Sequence, residues 1–194
     1  IGCNPRQEAA LVNARLRKRW MRGGFKVASV GPQLDLTFPV NHLGAGPDSL
    51  RHLAAGEGEF AAVLKNAERP LVIVGAGALS RSDGAAVLGA ARALANSVGA
   101  VGEDWNGFGV LHGAASRVGG LDLGFVPRAG GRDTAGILAG AAAGDINTVF
   151  LLAADEVDTS NLKDTFVVYI GHHGDAGAQV ADVILPGAAY TEKD

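Results

Sequence analysis

The sequence predicts an α/β protein of parallel-sheet, three-layer αβα (Rossmann-like) units. Three observations carry this. Continuous apolar runs stand at Leu71 to Val74, Thr148 to Leu152, Phe166 to Ile170 and Ala181 to Leu185; such runs suit parallel strands covered on both faces. Helical patterns rich in alanine and leucine alternate with them. Many of the 29 glycines fall at the junctions, where turns and tight packing need them.

Residues Gln7 to Arg22 read as a helix, with Ala9, Val12, Leu16 and Trp20 on one face turned to a sheet. Arg15, Arg17, Lys18, Arg19 and Arg22 crowd its end, where cations complement the helix dipole. Gly23-Gly24 stops it, and Lys26 to Val30 follows as a short strand. Pro32, Pro39 and Pro47 make residues 31–47 a loop. Asp48 to Asn66 is helical, interrupted near Gly56-Glu57-Gly58. A domain boundary is expected between residues 66 and 67. It separates an incomplete Rossmann-like unit, 1–66, from a second α/β unit, 67–194, and both ends read as truncated.

In the second unit Leu71 to Val74 is a strand and Gly75-Ala76-Gly77 a turn. Ser82 or Asp83 caps a helix over Gly84 to Ser97. Val98 to Val101 reads as a short strand and Val110 to Val118 as a helix. Pro127 to Arg132 is loop, and Asp133 caps a helix reaching Ala143. The three last apolar runs are strands.

Composition excludes several functions. Lys+Arg number 17 against 20 Asp+Glu, a net charge of -3, which argues against a general nucleic-acid binder. No run of about 18 uncharged apolar residues exists to insert directly in a membrane. A single cysteine, Cys3, forms no disulfide framework and suits a reducing compartment. It also cannot hold an iron–sulfur cluster, which needs about four thiolates.

Few residues suggest chemistry. Gly75-Ala76-Gly77-Ala78-Leu79-Ser80 follows a strand, as a dinucleotide fingerprint does. Yet Ser80 replaces the third glycine, and no acidic residue follows at the ribose-binding distance; a ligand-free turn is the better reading. Gly2-Cys3-Asn4-Pro5 lies between a strand end and a helix start, a place that can receive phosphate. Asn4 as helix cap and Pro5 as first helical residue explain it more simply. Cys3 has no His or Cys partner in sequence, so packing is its expected role. His172-His173-Gly174-Asp175 follows a strand, but adjacent histidines on an extended chain point apart. Asp155, Glu156 and Asp158 could add carboxylates to a metal site, but nothing has ligand spacing. Asp155, Glu156 and Asp182 are general acid or base candidates, though most such carboxylates cap helices or face water.

Several runs together resemble one family. These are Ile1-Gly2-Cys3-Asn4-Pro5-Arg6, Asn13-Ala14-Arg15-Leu16-Arg17-Lys18, Arg69-Pro70-Leu71-Val72-Ile73-Val74-Gly75, Arg81-Ser82-Asp83-Gly84-Ala85-Ala86 and Leu121-Asp122-Leu123-Gly124. Most specific are Tyr169-Ile170-Gly171-His172-His173-Gly174-Asp175 and Ala181-Asp182-Val183-Ile184-Leu185-Pro186-Gly187-Ala188-Ala189-Tyr190-Thr191-Glu192-Lys193. The sequence is similar over its whole length to the molybdopterin-oxidoreductase-like region of the large iron–sulfur subunit of respiratory NADH:quinone oxidoreductase (complex I). The resemblance implies a structural region, inactive alone, of an enzyme passing electrons from NADH to quinone with proton translocation. It implies 2Fe-2S and 4Fe-4S clusters elsewhere in the full-length subunit and none here. Implied partners are other subunits of the peripheral arm, on the cytoplasmic side of a bacterial inner membrane or the mitochondrial matrix side. Gly2, Asn4, Pro5, Leu185 and Pro186 match turns that lie near the pterin nucleotide in molybdenum relatives; here they imply a vestigial site, with no cofactor-binding, catalytic or metal residue retained. Cys3 departs from the small hydroxyl residue expected at that turn. A second expectation is a nucleotide- or pterin-binding domain of a free-standing oxidoreductase or thiamine-diphosphate-type enzyme, since Leu71 to Gly75 resembles those too.

Overall fold

A computed structural model describes residues 1–114 and 116–192. Ala115, inside the expected helix 110–118, and Lys193, in the last resembling run, lie outside the described residues. The chain divides into two compact units, Ile1–Val118 and Gly119–Asp194.

In the first unit the chain starts on the sheet. The Gly2 N–H donates to the Val30 carbonyl at 2.8 Å, Ile1 N to Ile73 at 2.8 Å, and Gly75 N to Ile1 at 2.9 Å. Residues 1–2 therefore bridge two parallel pairs: β1 (Ala28–Ser29) with β2 (Asn41–His42), and β3 (Val72–Gly75) with β4 (Phe108–Leu111). This bridge explains why the unit continues past residue 66, where the sequence reading placed its end. A division there would cut the bonds that join β3 to Ile1.

Two helices replace the one expected over 7–22. Asn4 accepts from the Arg6 N–H and starts α1 (Pro5–Glu8), and α2 (Ala10–Trp20) follows after a break at Ala9, whose ψ of 66° is not helical. Trp20 joins none of the clusters packed on the sheet. It stacks on Phe38 with centroids 6.1 Å apart, half-exposed, and the one buried residue of α2 is Asn13.

The core lies under α3 (Pro47–Ala54), α4 (Glu59–Lys65) and α6 (Gly84–Ser97). Leu50, Leu53 and Phe60 meet Val30 and Leu94 there, and Val72 and Val74 of β3 pack on Ala91 and Ala95 of α6. A short helix, α5 (Ala76–Leu79), replaces the expected turn at 75–77. Asp83 precedes α6 without capping it, because Arg81 holds its carboxylate at 2.7 and 2.9 Å. Residues 98–101 are no strand: the Ala100 N–H returns to the Ala95 carbonyl at 2.8 Å, closing the helix, and Val101 makes only an isolated antiparallel bridge to Asn106. The expected helix over 110–118 is instead the end of β4 and the beginning of α7 (Arg117–Asp122). Pairing with β3 extends Val110-Leu111, overriding local pattern.

The second unit begins after Val118. Asp133 caps α8 (Thr134–Ala142), accepting from the Gly136 N–H at 2.8 Å, as expected. Strands β5 (Thr148–Leu152), β6 (Phe166–Gly171) and β7 (Val183–Pro186) form a parallel sheet in that order. One face packs Val149, Leu151, Val167 and Tyr169 against Ala141 and Leu162. The expectation of burial on both faces fails within the described residues: Phe150 is 67 % and Leu152 72 % exposed. Right-handed crossovers between strands added in one direction all fall on one side; on the opposite side the central Val168 is buried while Phe150 and Leu152 of the outer strand stay open.

Candidate functional site

The two glycine turns singled out by sequence meet in the first unit. Gly2 sits at φ 55° beside α5, and a Cβ there would stand 2.5 Å from the Cβ of Ala78. At Gly75 an added Cβ would run into the Cβ of Cys3 and stand 2.5 Å from the Gly2 carbonyl oxygen. Each turn thus occupies the space that lack of a side chain leaves on the other. Gly77, by contrast, would meet only the Gly2 oxygen, at 3.7 Å.

Asn4 is committed as a cap, accepting from the Arg6 N–H at 3.2 Å, while its own N–H donates to Glu8. Pro5 is buried at the first position of α1. Arg6 pairs with Asp35 at 3.0 Å. The Asn4 side-chain oxygen and N–H and the Arg6 guanidinium are therefore engaged within the protein. A cavity of about 650 Å³ opens in the same unit, lined by Ile1, Cys3, Leu16, Ser29, Leu50 and Phe60 among others. Its lining belongs largely to the apolar core. The Ser29 hydroxyl has no hydrogen-bond partner among the described residues, but one such group falls short of the convergent set that orients a cofactor.

Cys3 is half-buried rather than fully enclosed. Burial pushes its thiol above the usual range, and Glu8 adds to it. A thiol harder to ionise in the folded chain stabilises the fold below the unfolded pKa, and that contribution fades as pH rises through the folded value. Iodoacetamide at pH 7.5 is therefore expected to alkylate Cys3 several-fold more slowly in the folded chain than in urea, with the gap closing in alkali. Equal rates at pH 7.5 would show an unperturbed thiol.

In the second unit three of the four expected carboxylates, Asp155, Asp158 and Asp182, have structural duties, and Glu156 is exposed. Asp155 accepts from the Tyr169 hydroxyl and from the Gly177 N–H, both at 2.9 Å. Tyr169 is 1 % exposed, and the His173 carbonyl oxygen lies 3.4 Å from its hydroxyl. Burial, then the Asp155 carboxylate, raise its pKa above the ordinary phenol value. Asp158 caps the short 3-10 turn Thr159–Leu162, and its bond from Ser160 lowers its pKa. Asp182 accepts from the Val167 N–H at 2.7 Å. Tyr169 was missed in the sequence as a site organiser, although its spacing of two from Gly171 carried the signal: the ring lies over that glycine.

Asp155→Ala is expected to lower the Tm of the second unit by several degrees, since one O–H and one N–H donor lose their acceptor. Tyr169→Phe in the same background should add little, because its hydroxyl has then already lost the Asp155 carboxylate, its nearer acceptor. Additive effects of the two changes, read by thermal denaturation, would contradict the coupling.

His172 and His173 do not point apart. The chain bends after β6, and the two rings meet edge to face, centroids 4.6 Å apart, with their Nδ1 atoms in contact. Both are exposed. Among the described residues no group of three or more His, Cys, Asp or Glu converges to hold a metal ion. Leu185 and Pro186 pair with Ile170 and Gly171 along β7 and are exposed there. No described helix is long and apolar enough to cross a membrane.

Comparison with known proteins agrees with the resemblance. The chain is 42% identical over 193 residues to an NADH-quinone oxidoreductase subunit of Rickettsia bellii, covering all of this chain and 27% of that protein. It is 43% identical over 197 residues to the mitochondrial "NADH-ubiquinone oxidoreductase 78 kDa subunit" of Neurospora crassa, covering 25% of it. It is 42% identical over 195 residues to the mitochondrial "NADH dehydrogenase [ubiquinone] iron-sulfur protein 1" of Solanum tuberosum, again covering 25%. The chain spans about a quarter of the length of these relatives. The family model for molybdopterin oxidoreductases matches residues 1–194, and the chain therefore belongs to the molybdopterin oxidoreductase family.

Proposed function

We propose that this chain is a non-catalytic, structural region of the large iron–sulfur subunit of NADH:quinone oxidoreductase. On this reading the parent enzyme passes electrons from NADH to quinone and couples this to proton translocation. Its 2Fe-2S and 4Fe-4S clusters belong to other parts of the subunit. The partners are subunits of the peripheral arm, at the cytoplasmic face of a bacterial inner membrane or the matrix face of the mitochondrial one. The fold proposed for the parent subunit is the three-layer αβα type, and within this chain the β5–β7 sheet packs its described core on one face.

The observation that carries the reading is identity of 41–43% to four such subunits across the whole chain. The geometry supports its non-catalytic part. Gly2, Asn4 and Pro5 do not fit a pterin nucleotide: Ala78 and Cys3 fill the contact between the turns, and Asn4 is engaged as a cap.

The test is made in the assembled complex carrying Asn4→Ala in the full-length subunit. NADH:ferricyanide and NADH:quinone activity per assembled complex should be unchanged, and the purified complex should contain no stoichiometric molybdenum. Loss of turnover in a fully assembled complex, or one molybdenum per complex, would defeat the reading.

A further inference from the structure

We infer that the exposed side of α2, together with the turn that follows it, is a docking surface for an acidic face of another protein subunit. The inference rests on the proposed function, since it names a partner surface within that assembly.

Charge along this chain is unevenly placed. Residues 9–34 hold six cations, Arg15, Arg17, Lys18, Arg19, Arg22 and Lys26, and no acidic residue. The remainder carries eleven cations against twenty acids. A strongly basic segment thus stands on an acidic background. All six cations are exposed. Arg19 is engaged locally, donating to the Gly23 carbonyl at 2.8 Å with its guanidinium 5.3 Å from the Phe25 ring centroid. Arg15, Arg17, Lys18, Arg22 and Lys26 enter none of the ion pairs formed among the described residues, which use Arg6, Arg51, His52, Arg81 and Arg132.

The spacing gathers these groups. Leu11, Arg15 and Lys18 follow at i, i+4 and i+7, one stripe along a helix. Leu11 is 82 % exposed within that stripe, and Met21 is 63 % exposed at its end. The helix dipole accounts for one or two cations in the last turn. It does not account for Arg15, Arg22 or Lys26, nor for an exposed leucine among them.

The partner's chemistry follows from this set. Four of the six cations are arginines, whose planar fork binds carboxylates in pairs. Arginine and methionine beside an apolar contact are what protein interfaces enrich. A membrane surface fits less well, because an interfacial helix must lay its apolar face in lipid, and the Val12, Leu16 and Trp20 side is half-buried, with Trp20 stacked on Phe38. Nucleic acid is disfavoured by the acidic remainder.

The test uses the assembled complex. A zero-length carbodiimide cross-linker should couple Lys18 and Lys26 to Asp or Glu of a different subunit, located by mass spectrometry. Acetylating reagent should label both lysines at least tenfold more slowly in the complex than in the isolated full-length subunit. Arg15→Glu with Lys18→Glu should cut the assembled fraction on native gels at least tenfold while the free subunit keeps its circular dichroism and Tm. Lysines that label equally fast before and after assembly overturn the inference. So does binding of the free subunit to phosphatidylglycerol vesicles or a 30-base-pair duplex that the double variant abolishes while assembly persists. Failure of the full-length subunit to join any NADH-oxidising complex would instead sink the underlying functional reading.

Discussion

Gly75→Val is expected to unfold the first unit or cost it more than about 3 kcal/mol, among the largest effects open to one substitution. The first added carbon already collides with the Cys3 Cβ and stands 2.5 Å from the Gly2 oxygen. Two of these atoms are backbone or attached directly to it, so no rotamer change relieves the overlap. Residues 1–3 would have to leave, and with them go the bonds from Ile1 to Ile73, Gly75 to Ile1 and Gly2 to Val30. The control lies two residues on. Gly77→Ala meets nothing closer than 3.7 Å and should change stability by no more than about 1 kcal/mol. A nucleotide cradle would need both glycines, because the second admits the pyrophosphate. Urea denaturation of the two variants separates the explanations: equal large losses would contradict a turn built for packing alone.

Leu50→Ala is the second large effect, about 2–5 kcal/mol, or a Tm lower by roughly 10 °C or more. Leu50 is 1 % exposed and packs with Val30, Leu53, Phe60 and Leu94. The space left by truncation would sit where α3, α4 and α6 converge, enlarging the cavity that Leu50 already lines. Leu11→Ala, at a position 82 % exposed, should fall within about 0.5 kcal/mol in the isolated subunit. A loss under about 1 kcal/mol for Leu50→Ala would place the core elsewhere.

The elements legible in sequence were those whose residues carry their own reason. Val72-Ile73-Val74 and Val167-Val168-Tyr169 are apolar and β-prone, and both are strands. Asp133 caps its helix with a bond to Gly136. β2 was illegible because Asn41 and His42 have no strand character. Backbone bonds hold them, from Asn41 to Val27 and from Leu43 to Ser29, and only the folded chain supplies those partners. Residues 108–118 were misread for the same reason, since pairing with β3 decides the conformation of Val110 and Leu111. Trp20 was placed on the core by periodicity, but α2 turns that side toward Phe38, a loop residue no spacing could nominate.

The candidate site was legible as positions and not as contacts. Gly2, Asn4, Pro5 and Gly75 were visible as turn residues, and Asn4 and Pro5 hold the helix-start roles the capping rules assign. That Gly2 and Gly75 serve each other could not be read from residues 73 apart. Asp155 and Asp182 were visible as carboxylates, but their acceptor duties to Tyr169, Gly177 and Val167 depend on strands brought together by the fold.

The position of Ile1 and Gly2 has a consequence for how the first unit breathes. Bonded on both sides, these two residues join a pair of two-stranded ribbons, with β2 and β4 left as the outer margins. Remove the wedge, and two margins become four, each a template for another chain. Amide deuterium uptake at Gly2 and Gly75 should then report the cooperative opening of the whole unit rather than local fraying, which makes the first two residues its timekeepers.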